Sequence, residues 1–166
     1  MRIGLFGGSF DPVHRAHIEL LERLQDHCQF DQVEVIPCGR HALEKVFSVG
    51  DDERLGMLQL AIKAIPFLKL SHVELERDAP SYTIDTCKEA RERFGPEASI
   101  SLIVGSDILA QLHRWSRWQA LLDSVNLLIV ERPEAEYRYT VRGLGSSPIE
   151  SADLAVCLKL LQPIPR

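Results

Sequence analysis

Residues 3–17 read Ile-Gly-Leu-Phe-Gly-Gly-Ser-Phe-Asp-Pro-Val-His-Arg-Ala-His, and this stretch decides the fold. The apolar run Ile3–Phe6 leads into a Gly-Gly turn, and His14 and His17 then open a helical pattern. Glycines allow close backbone approach, and a helix N-terminus offers unpaired N–H groups with a partial positive charge. We therefore predict a strand–turn–helix unit that binds phosphate. The alternative is a sharp turn in which His14 caps the helix and His17 lies on the surface.

Apolar runs and helical patterns alternate along the rest of the chain. The further predicted strands are Val33–Ile36, Leu68–Val73, Ser99–Val104 and Val125–Val130. The predicted helices run from about Arg15 to Cys28, from Asp51 onward, and over Ser81–Phe94. Further helical segments are predicted between the turn at Gly105–Asp107 and Leu122. This alternation predicts one α/β domain over residues 1–166, with a Rossmann-like, doubly wound parallel sheet. Ligands of such sheets bind beyond the carboxyl ends of the strands.

Bulk composition limits the classes of partner. The chain has 166 residues and a formal net charge of −5, which argues against a nucleic-acid partner but not against a mononucleotide. The four cysteines have no metal-like spacing and are typical of reduced thiols. No apolar run reaches the length needed to span a membrane. We therefore expect a cytoplasmic protein with small-molecule ligands, and the sequence leaves the oligomeric state open.

Two motifs carry a family resemblance. The stretch Gly7–Pro12 followed by His14-x-x-His17 resembles the opening of the His-x-Gly-His nucleotidyltransferases, although Ala16 stands where that pattern has glycine. Ser81-Tyr-Thr-Ile-Asp-Thr86 is similar to a motif of the nicotinate-nucleotide adenylyltransferase branch. The resemblance implies a nucleotidyltransferase-type fold and adenylyl transfer from ATP to nicotinic acid mononucleotide, a step of NAD biosynthesis. No acidic metal cage is visible, so Mg²⁺ is expected to arrive with ATP.

The resemblance also implies roles for individual residues. The catalytic candidates are His14, His17 and Lys45. The candidate ATP contacts are Gly7, Gly8, Ser9, Phe10, His14, His17, Gly105, Asp107 and Arg132. The candidate mononucleotide contacts are Arg40, Lys45, Thr83, Thr86 and Trp115. No protein-bound metal site is expected.

Other interpretations of these motifs remain open. His14 and His17 have the spacing of a zinc pair, but no third ligand stands out. In the segment 38–45, Arg40 and His41 could substitute functionally for the family's basic residue. Alternatively, the segment is only a solvated charged loop. The hydroxyls of Ser81–Thr86 could simply cap a helix. The acceptor could instead be nicotinamide mononucleotide or phosphopantetheine, and the chain could bind nucleotide without turnover.

The end of the chain departs from the family pattern. Residues 133–152 are rich in Gly, Ser, Pro and charge and predict a long mobile loop. The family continues with Ile-Ser-Ser-Thr-x-Ile-Arg, a phosphate-binding helix start, whereas this sequence ends in Gln162-Pro-Ile-Pro-Arg166. Ser146-Ser147-Pro148 does not replace that motif. We therefore expect either a truncated chain or an impaired enzyme.

Overall fold

A six-stranded sheet with helices between its strands forms the framework. The computed structural model describes residues 1–39, 47–78, 80–108, 112–131 and 138–142. Its strands are β1 (Arg2–Gly8), β2 (Gln32–Pro37), β3 (Leu68–Leu70), β4 (Ser99–Gly105), β5 (Asn126–Glu131) and β6 (Arg138–Arg142). Its α-helices are α1 (Arg15–Cys28), α2 (Asp51–Ile62), α3 (Thr83–Phe94) and α4 (Trp118–Ser124). Single 3₁₀ turns occupy Ser106–Ile108 and Leu112–Arg114.

The order of the strands creates a ligand crevice. The sheet runs β3-β2-β1-β4-β5-β6, with β1 to β5 parallel and β6 antiparallel to β5. The chain moves outward from β1 to β3, then returns to the other side of β1 for β4. Such a reversal opens a crevice at the carboxyl ends of the two central strands. The predicted doubly wound parallel sheet is confirmed.

Each face of the sheet carries its own apolar core. Strand residues alternate between the faces, so Phe6 packs with α1 and α2 while its neighbour Leu5 packs with α3 and α4. Leu21 of α1 and Leu58 of α2 are almost completely buried on the first side. Ile84 of α3 and Leu121 of α4 are equally buried on the second. Covering both faces in this way fixes β1 and β4 firmly at the centre.

The structure differs from the sequence prediction at both edges of the sheet. Strand β3 ends at Leu70, where a longer strand to Val73 is predicted. Residues 138–142, inside the predicted loop, pair with β5 as the antiparallel strand β6, with Tyr139 opposite Val130. A short edge strand with charged residues at both ends gives only a weak sequence pattern. Within the described ranges, every helix is too short or too polar to cross a bilayer.

Candidate active site

Two stacked imidazoles stand at the start of α1, directly after the turn that follows β1. His14 is the N-cap residue, with an extended backbone (φ −137°, ψ 166°), and His17 lies in the first turn. Their ring centroids are 3.7 Å apart and their planes differ by 24°. Both rings therefore lie at the N-terminus of the helix, where an anion is favoured. The sequence-based prediction that they share one face is confirmed.

The orientation of the His17 ring is fixed from two sides. The backbone N–H of His14 donates to His17 Nδ1 at 3.3 Å. Because an accepting ring nitrogen carries no proton, this bond places the proton of the neutral ring on Nε2. Phe10 and Phe6 contact the same ring edge-to-face, with centroids 5.2 and 6.0 Å away. His17 is thus held as a potential Nε2–H donor.

The Gly-Gly turn is shaped around the ring of Phe10. Phe10 is buried and has a positive φ of 45°, which is uncommon for an aromatic residue. A Cβ on Gly8 would lie 3.0 Å from the Phe10 ring, whereas Gly7 is exposed. The buried Phe10 side chain packs against the His17 ring. At the exposed Gly7, the absence of a side chain leaves the backbone of the turn accessible. The ATP contacts predicted for Gly7, Gly8, Ser9 and Phe10 stay predictions.

Arg54 is a buried cation beneath this turn, and no role was predicted for it from the sequence. Its side chain has no exposed surface. Nη1 donates to the Ser9 carbonyl at 2.8 Å, and Nη2 donates to the Cys38 carbonyl at 2.8 Å and to Asp51 at 2.6 Å. Its spacing with Leu58 and Ile62, four and eight residues on, places it on the buried face of α2. A charged residue on an apolar stripe is the signal that could have identified it.

Asp11 links the same turn to the residues before α2. Its carboxylate accepts hydrogen bonds from Ser48 N at 2.6 Å, Ser48 Oγ at 2.6 Å and Val49 N at 3.2 Å. The Ser48 hydroxyl, then the Ser48 N–H, hold the pKa of Asp11 below its ordinary value of 3.8. The turn after β1 is therefore joined to segment 47–49 by an ionised carboxylate.

Because the folded-state pKa of Asp11 is lowered, its contribution to stability is present above pH 3.8 and is lost as the pH falls through the lower folded value. We expect Asp11→Asn to be less stable than wild type at pH 7 and to approach it progressively near and below pH 3.8. Urea unfolding at several pH values measures this difference. Asp26→Asn, an exposed change on α1, is the matched control. A difference that stays constant over the same pH range would contradict the role assigned to the carboxylate.

Several predicted site residues lie outside the described residues. These are Arg40 and Lys45, in segment 40–46, and Arg132. Asp107 lies on the 3₁₀ turn that follows Gly105 at the end of β4, and only its backbone is described. This position is on the β4 side of the crevice. The roles predicted for all five residues stay predictions.

The first residues after β2 are nonetheless tightly placed. Cys38 N donates to the Gly8 carbonyl at 2.8 Å, which joins this segment to the Gly-Gly turn. Gly39 is buried, and a Cβ there would lie 2.0 Å from the carbonyl oxygen of Glu74. Only glycine fits so close to another backbone. Cys38 and Gly39, which precede the segment 40–46, are thus packed between the Gly-Gly turn and the chain that follows β3.

The start of α3 is bound to that same chain. Ser81 Oγ donates to the Glu74 carbonyl at 3.1 Å, and Thr86 Oγ1 donates to Glu74 Oε1 at 2.9 Å. Arg77 Nη1 donates to Thr86 Oγ1 at 3.0 Å, so the buried Thr86 hydroxyl is used within the protein. The N-cap residue is Tyr82, whose side chain makes no capping hydrogen bond, which does not support the hydroxyl-cap interpretation. Thr83 is half-buried in the first turn.

Trp115 lies in the segment between the 3₁₀ turn Leu112–Arg114 and α4. Its side chain is half-buried against the apolar core on the α3 side, and its backbone N–H donates to the Leu112 carbonyl at 3.0 Å. Arg117, the N-cap of α4 with φ 51°, donates to Asp85 at 2.5 Å. This ion pair joins the Trp115 segment to the first turn of α3. Trp118 begins α4.

The described contacts therefore connect the two histidines, the junction after β2, the start of α3 and the Trp115 segment in one continuous series. Direct contact of Thr83, Thr86 and Trp115 with a mononucleotide stays a prediction. In the part of the chain that the structure describes, no group of three His, Cys, Asp or Glu side chains could hold a metal ion. The histidine pair at the start of α1 is suited to binding a phosphate group.

Comparisons with known proteins agree with this arrangement. The cytidylyltransferase-like family model matches residues 5–161. A relative from Cellvibrio japonicus, named "Probable nicotinate-nucleotide adenylyltransferase", is 40% identical over 79% of this chain and 62% of its own length. A relative of the same name from Pseudomonas aeruginosa is 35% identical over 81% of this chain and 63% of its own length. The chain thus spans less than two thirds of these curated relatives.

Solved structures support the fold. The nicotinic acid mononucleotide adenylyltransferase of Plasmodium falciparum, solved with NaAD, has a TM-score of 0.69 over 93% of this chain and 70% of that one, at 22% identity. The same enzyme solved with APC has a TM-score of 0.65 over the same shares, at 21% identity. At this identity the likeness concerns the fold. Because the family model covers nearly the whole chain, and the strand, turn and histidine pair occupy the positions described above, this chain belongs to the cytidylyltransferase-like family.

Proposed function

We propose that this chain transfers the adenylyl group of ATP to nicotinic acid mononucleotide, giving nicotinic acid adenine dinucleotide and pyrophosphate. The observation that carries the proposal is the stacked pair His14 and His17 at the N-terminus of α1, beside the crevice between β1 and β4. The names of the Cellvibrio and Pseudomonas relatives support the choice of reaction. Small-molecule substrates also agree with a net charge of −5, which does not favour nucleic acid.

The reaction is an in-line displacement at the α-phosphorus. An oxygen of the mononucleotide phosphate attacks that phosphorus, the bond to the bridging oxygen breaks, and pyrophosphate leaves with the electron pair. The protein need supply no covalent intermediate, so alignment and charge stabilisation account for most of the rate. In our proposal His17 Nε2–H and the N–H groups of α1 donate to the ATP phosphates and stabilise the developing charge.

The acceptor is proposed to lie between the start of α3 and the Trp115 segment. Trp115 can stack on a pyridine ring, and backbone N–H groups near Thr83 and Trp115 can bind the nicotinate carboxylate. A neutral amide would leave such donors partly unpaired, which disfavours nicotinamide mononucleotide. The Arg117–Asp85 ion pair supports this assignment because it holds the two segments together.

Magnesium is proposed to enter with ATP rather than to reside in the protein. The described residues contain no acidic cluster that would hold it, and the turn offers N–H and imidazole groups, which suit phosphate oxygens. Bound to the phosphates, the ion would neutralise charge on the departing pyrophosphate. The residues of this chain then bind and orient the complex through His14, His17 and the helix N-terminus.

Trp115→Ala is expected to weaken mononucleotide binding more than turnover. The ring provides stacking area, and aromatic stacking on a base contributes about 1–3 kcal/mol, so we expect KM for the mononucleotide to rise about tenfold or more. The KM for ATP is expected to change little. Steady-state kinetics with each substrate varied in turn separates the two effects. Trp118→Ala, at the start of α4, is the matched aromatic control, and equal effects of the two variants would contradict the assignment.

The proposed substrate is tested by an acceptor comparison. The chain is incubated with Mg-ATP and, separately, nicotinic acid mononucleotide, nicotinamide mononucleotide or phosphopantetheine, and the products are identified by mass. We expect the nicotinic acid dinucleotide to form fastest. Faster transfer to either other acceptor would change the proposed substrate. Stabilisation of the fold by ATP without any product would instead indicate a nucleotide-binding protein.

A further inference from the structure

Arg54 lies where three parts of the site meet, and none of the predicted roles uses it. One nitrogen binds the carbonyl of Ser9, in the turn after β1, and the other binds the carbonyl of Cys38, in the segment after β2. The same guanidinium pairs with Asp51 at the start of its own helix. Burying a cation destabilises the fold unless its donors are satisfied. Loss of any of these three contacts would therefore be costly, which favours a single geometry of the Arg54 side chain.

The shape of the guanidinium matters for this arrangement. Arginine presents donors in a rigid planar fork, so one side chain can hold two carbonyls at a fixed separation, whereas lysine offers a single nitrogen on a flexible chain. The Phe47 ring covers the guanidinium face, with its centroid 4.1 Å from Arg54 Cζ. Nε has no hydrogen-bond partner among the described residues. The position of the Arg54 guanidinium and the orientation of its plane are therefore set by packing against Phe47 as well as by its hydrogen bonds.

We infer that Arg54 is a positioning residue for the transfer reaction: it fixes the phosphate-binding turn and the segment leading to Arg40 and Lys45 at one relative distance. The inference rests on the proposed function, in which the turn orients ATP, and on the predicted mononucleotide contacts of Arg40 and Lys45, which follow Gly39 in the sequence. In-line transfer requires both reactants within a narrow range of distance and angle. Loosening the link should therefore slow the chemical step more than it weakens either substrate's binding.

The chain contains a matched control. Arg91, on α3, also donates to several backbone carbonyls. Its Nη1 donates to those of Gly95, Pro96 and Ala98, and its Nη2 donates to that of Ser124. These contacts lie at the opposite end of the sheet, next to the start of β4. Arg91→Lys thus removes the same kind of bond without touching the site. The Tm of this variant therefore measures how much stability is lost when an arginine that binds several carbonyls is replaced by lysine.

The test compares Arg54→Lys with Arg91→Lys in the intact chain by steady-state kinetics and thermal unfolding. We expect both to lower Tm, but only Arg54→Lys to lower kcat, by about 10- to 100-fold, with both KM values changing less. Should Arg54→Lys not fold, Asp51→Asn replaces it, because Asp51 is 60% exposed and can be changed with little effect on packing. That variant should lower kcat by a smaller factor, with a modest fall in Tm because the buried guanidinium loses its carboxylate partner. Equal kcat in the Arg54, Asp51 and Arg91 variants would overturn the inference.

Amide hydrogen exchange provides a readout that does not depend on turnover. In Arg54→Lys, the amides of residues 8–11 and those of Cys38 and Gly39 should exchange faster together, while those at the start of β4 stay unchanged. Arg91→Lys should give the reverse pattern. If the two variants show these changes but wild type makes no product, the proposed function fails and the inference on Arg54 stands as a link between the two segments. Uniformly faster exchange throughout Arg54→Lys would overturn it.

Discussion

His17→Ala is expected to lower kcat for pyrophosphate release by about two to three orders of magnitude while the protein stays folded. Removing one donor that stabilises transition-state charge typically has an effect of about 10²–10³ in kcat. The His17 ring is half-buried and contacts Phe10 and Phe6 at its edges, so its loss should cost little stability. Steady-state kinetics and circular dichroism on the same preparation measure both quantities.

The matched control is His27→Ala, at the other end of the same helix. His27 is exposed and its Nδ1 contacts the Arg23 carbonyl at 2.8 Å, away from the turn. Its kcat should equal that of wild type. A further variant, His17→Gln, keeps a polar donor and should retain more activity than His17→Ala. If His17→Ala unfolds the protein, yet the fraction that stays folded keeps its full specific activity, the phosphate role of His17 is wrong.

Gly39→Ala is expected to destabilise the protein strongly and to disturb the site at the same time. The new Cβ would lie 2.0 Å from the Glu74 carbonyl oxygen and 2.8 Å from its carbon, which are backbone atoms that a rotamer change cannot move away. Overpacking of this kind costs about 1–3 kcal/mol and sometimes more. The backbone at Gly39 must shift, and the segment leading to Arg40 shifts with it. Urea unfolding measures the loss, and kcat should fall in the fraction that remains folded.

Gly56→Ala is the control, because it is expected to raise the stability of the protein rather than lower it. Gly56 lies inside α2, and a Cβ there meets no heavy atom within 4 Å. Alanine in a helix interior is more favourable than glycine by roughly 0.5–1 kcal/mol, so this variant should be more stable than wild type. Its kcat should be unchanged. A Gly39→Ala variant as stable and active as Gly56→Ala would contradict the close backbone approach described after β2.

The sequence predicts the central part of the fold well, because burial leaves a clear pattern there. Helix α1 has the predicted limits, and the central strands coincide with runs of apolar residues that are covered on both faces. The edges are less predictable. Strand β6 lies within a polar segment, and its antiparallel pairing with β5 depends on contacts that no local pattern encodes. Edge strands carry fewer buried side chains, so their periodicity is weak.

The same distinction applies to the site. His14 and His17 could be predicted because glycine, histidine and helix start are adjacent in sequence. The partners of Arg54 could not, because its contacts with Ser9 and Cys38 span 45 and 16 residues, although its place on the apolar stripe of α2 marks it as unusual. Asp11 is likewise joined to Ser48 across 37 residues. Motifs thus identify candidate ligand contacts, whereas the long-range contacts that hold those groups in place are recognised from the three-dimensional structure.

The most direct test of the central claim is pyrophosphate release from Mg-ATP and nicotinic acid mononucleotide. The assay uses this chain beside a chimera extended at its C-terminus by the residues that follow the matched region in the Cellvibrio japonicus relative, each with and without His17→Ala. We expect release that requires both substrates, in the chimera at least, and that falls about 10²–10³-fold on loss of His17. Activity in the 166-residue chain as well would show that its own residues suffice. No release from either protein, or release that is indifferent to His17, would contradict the account.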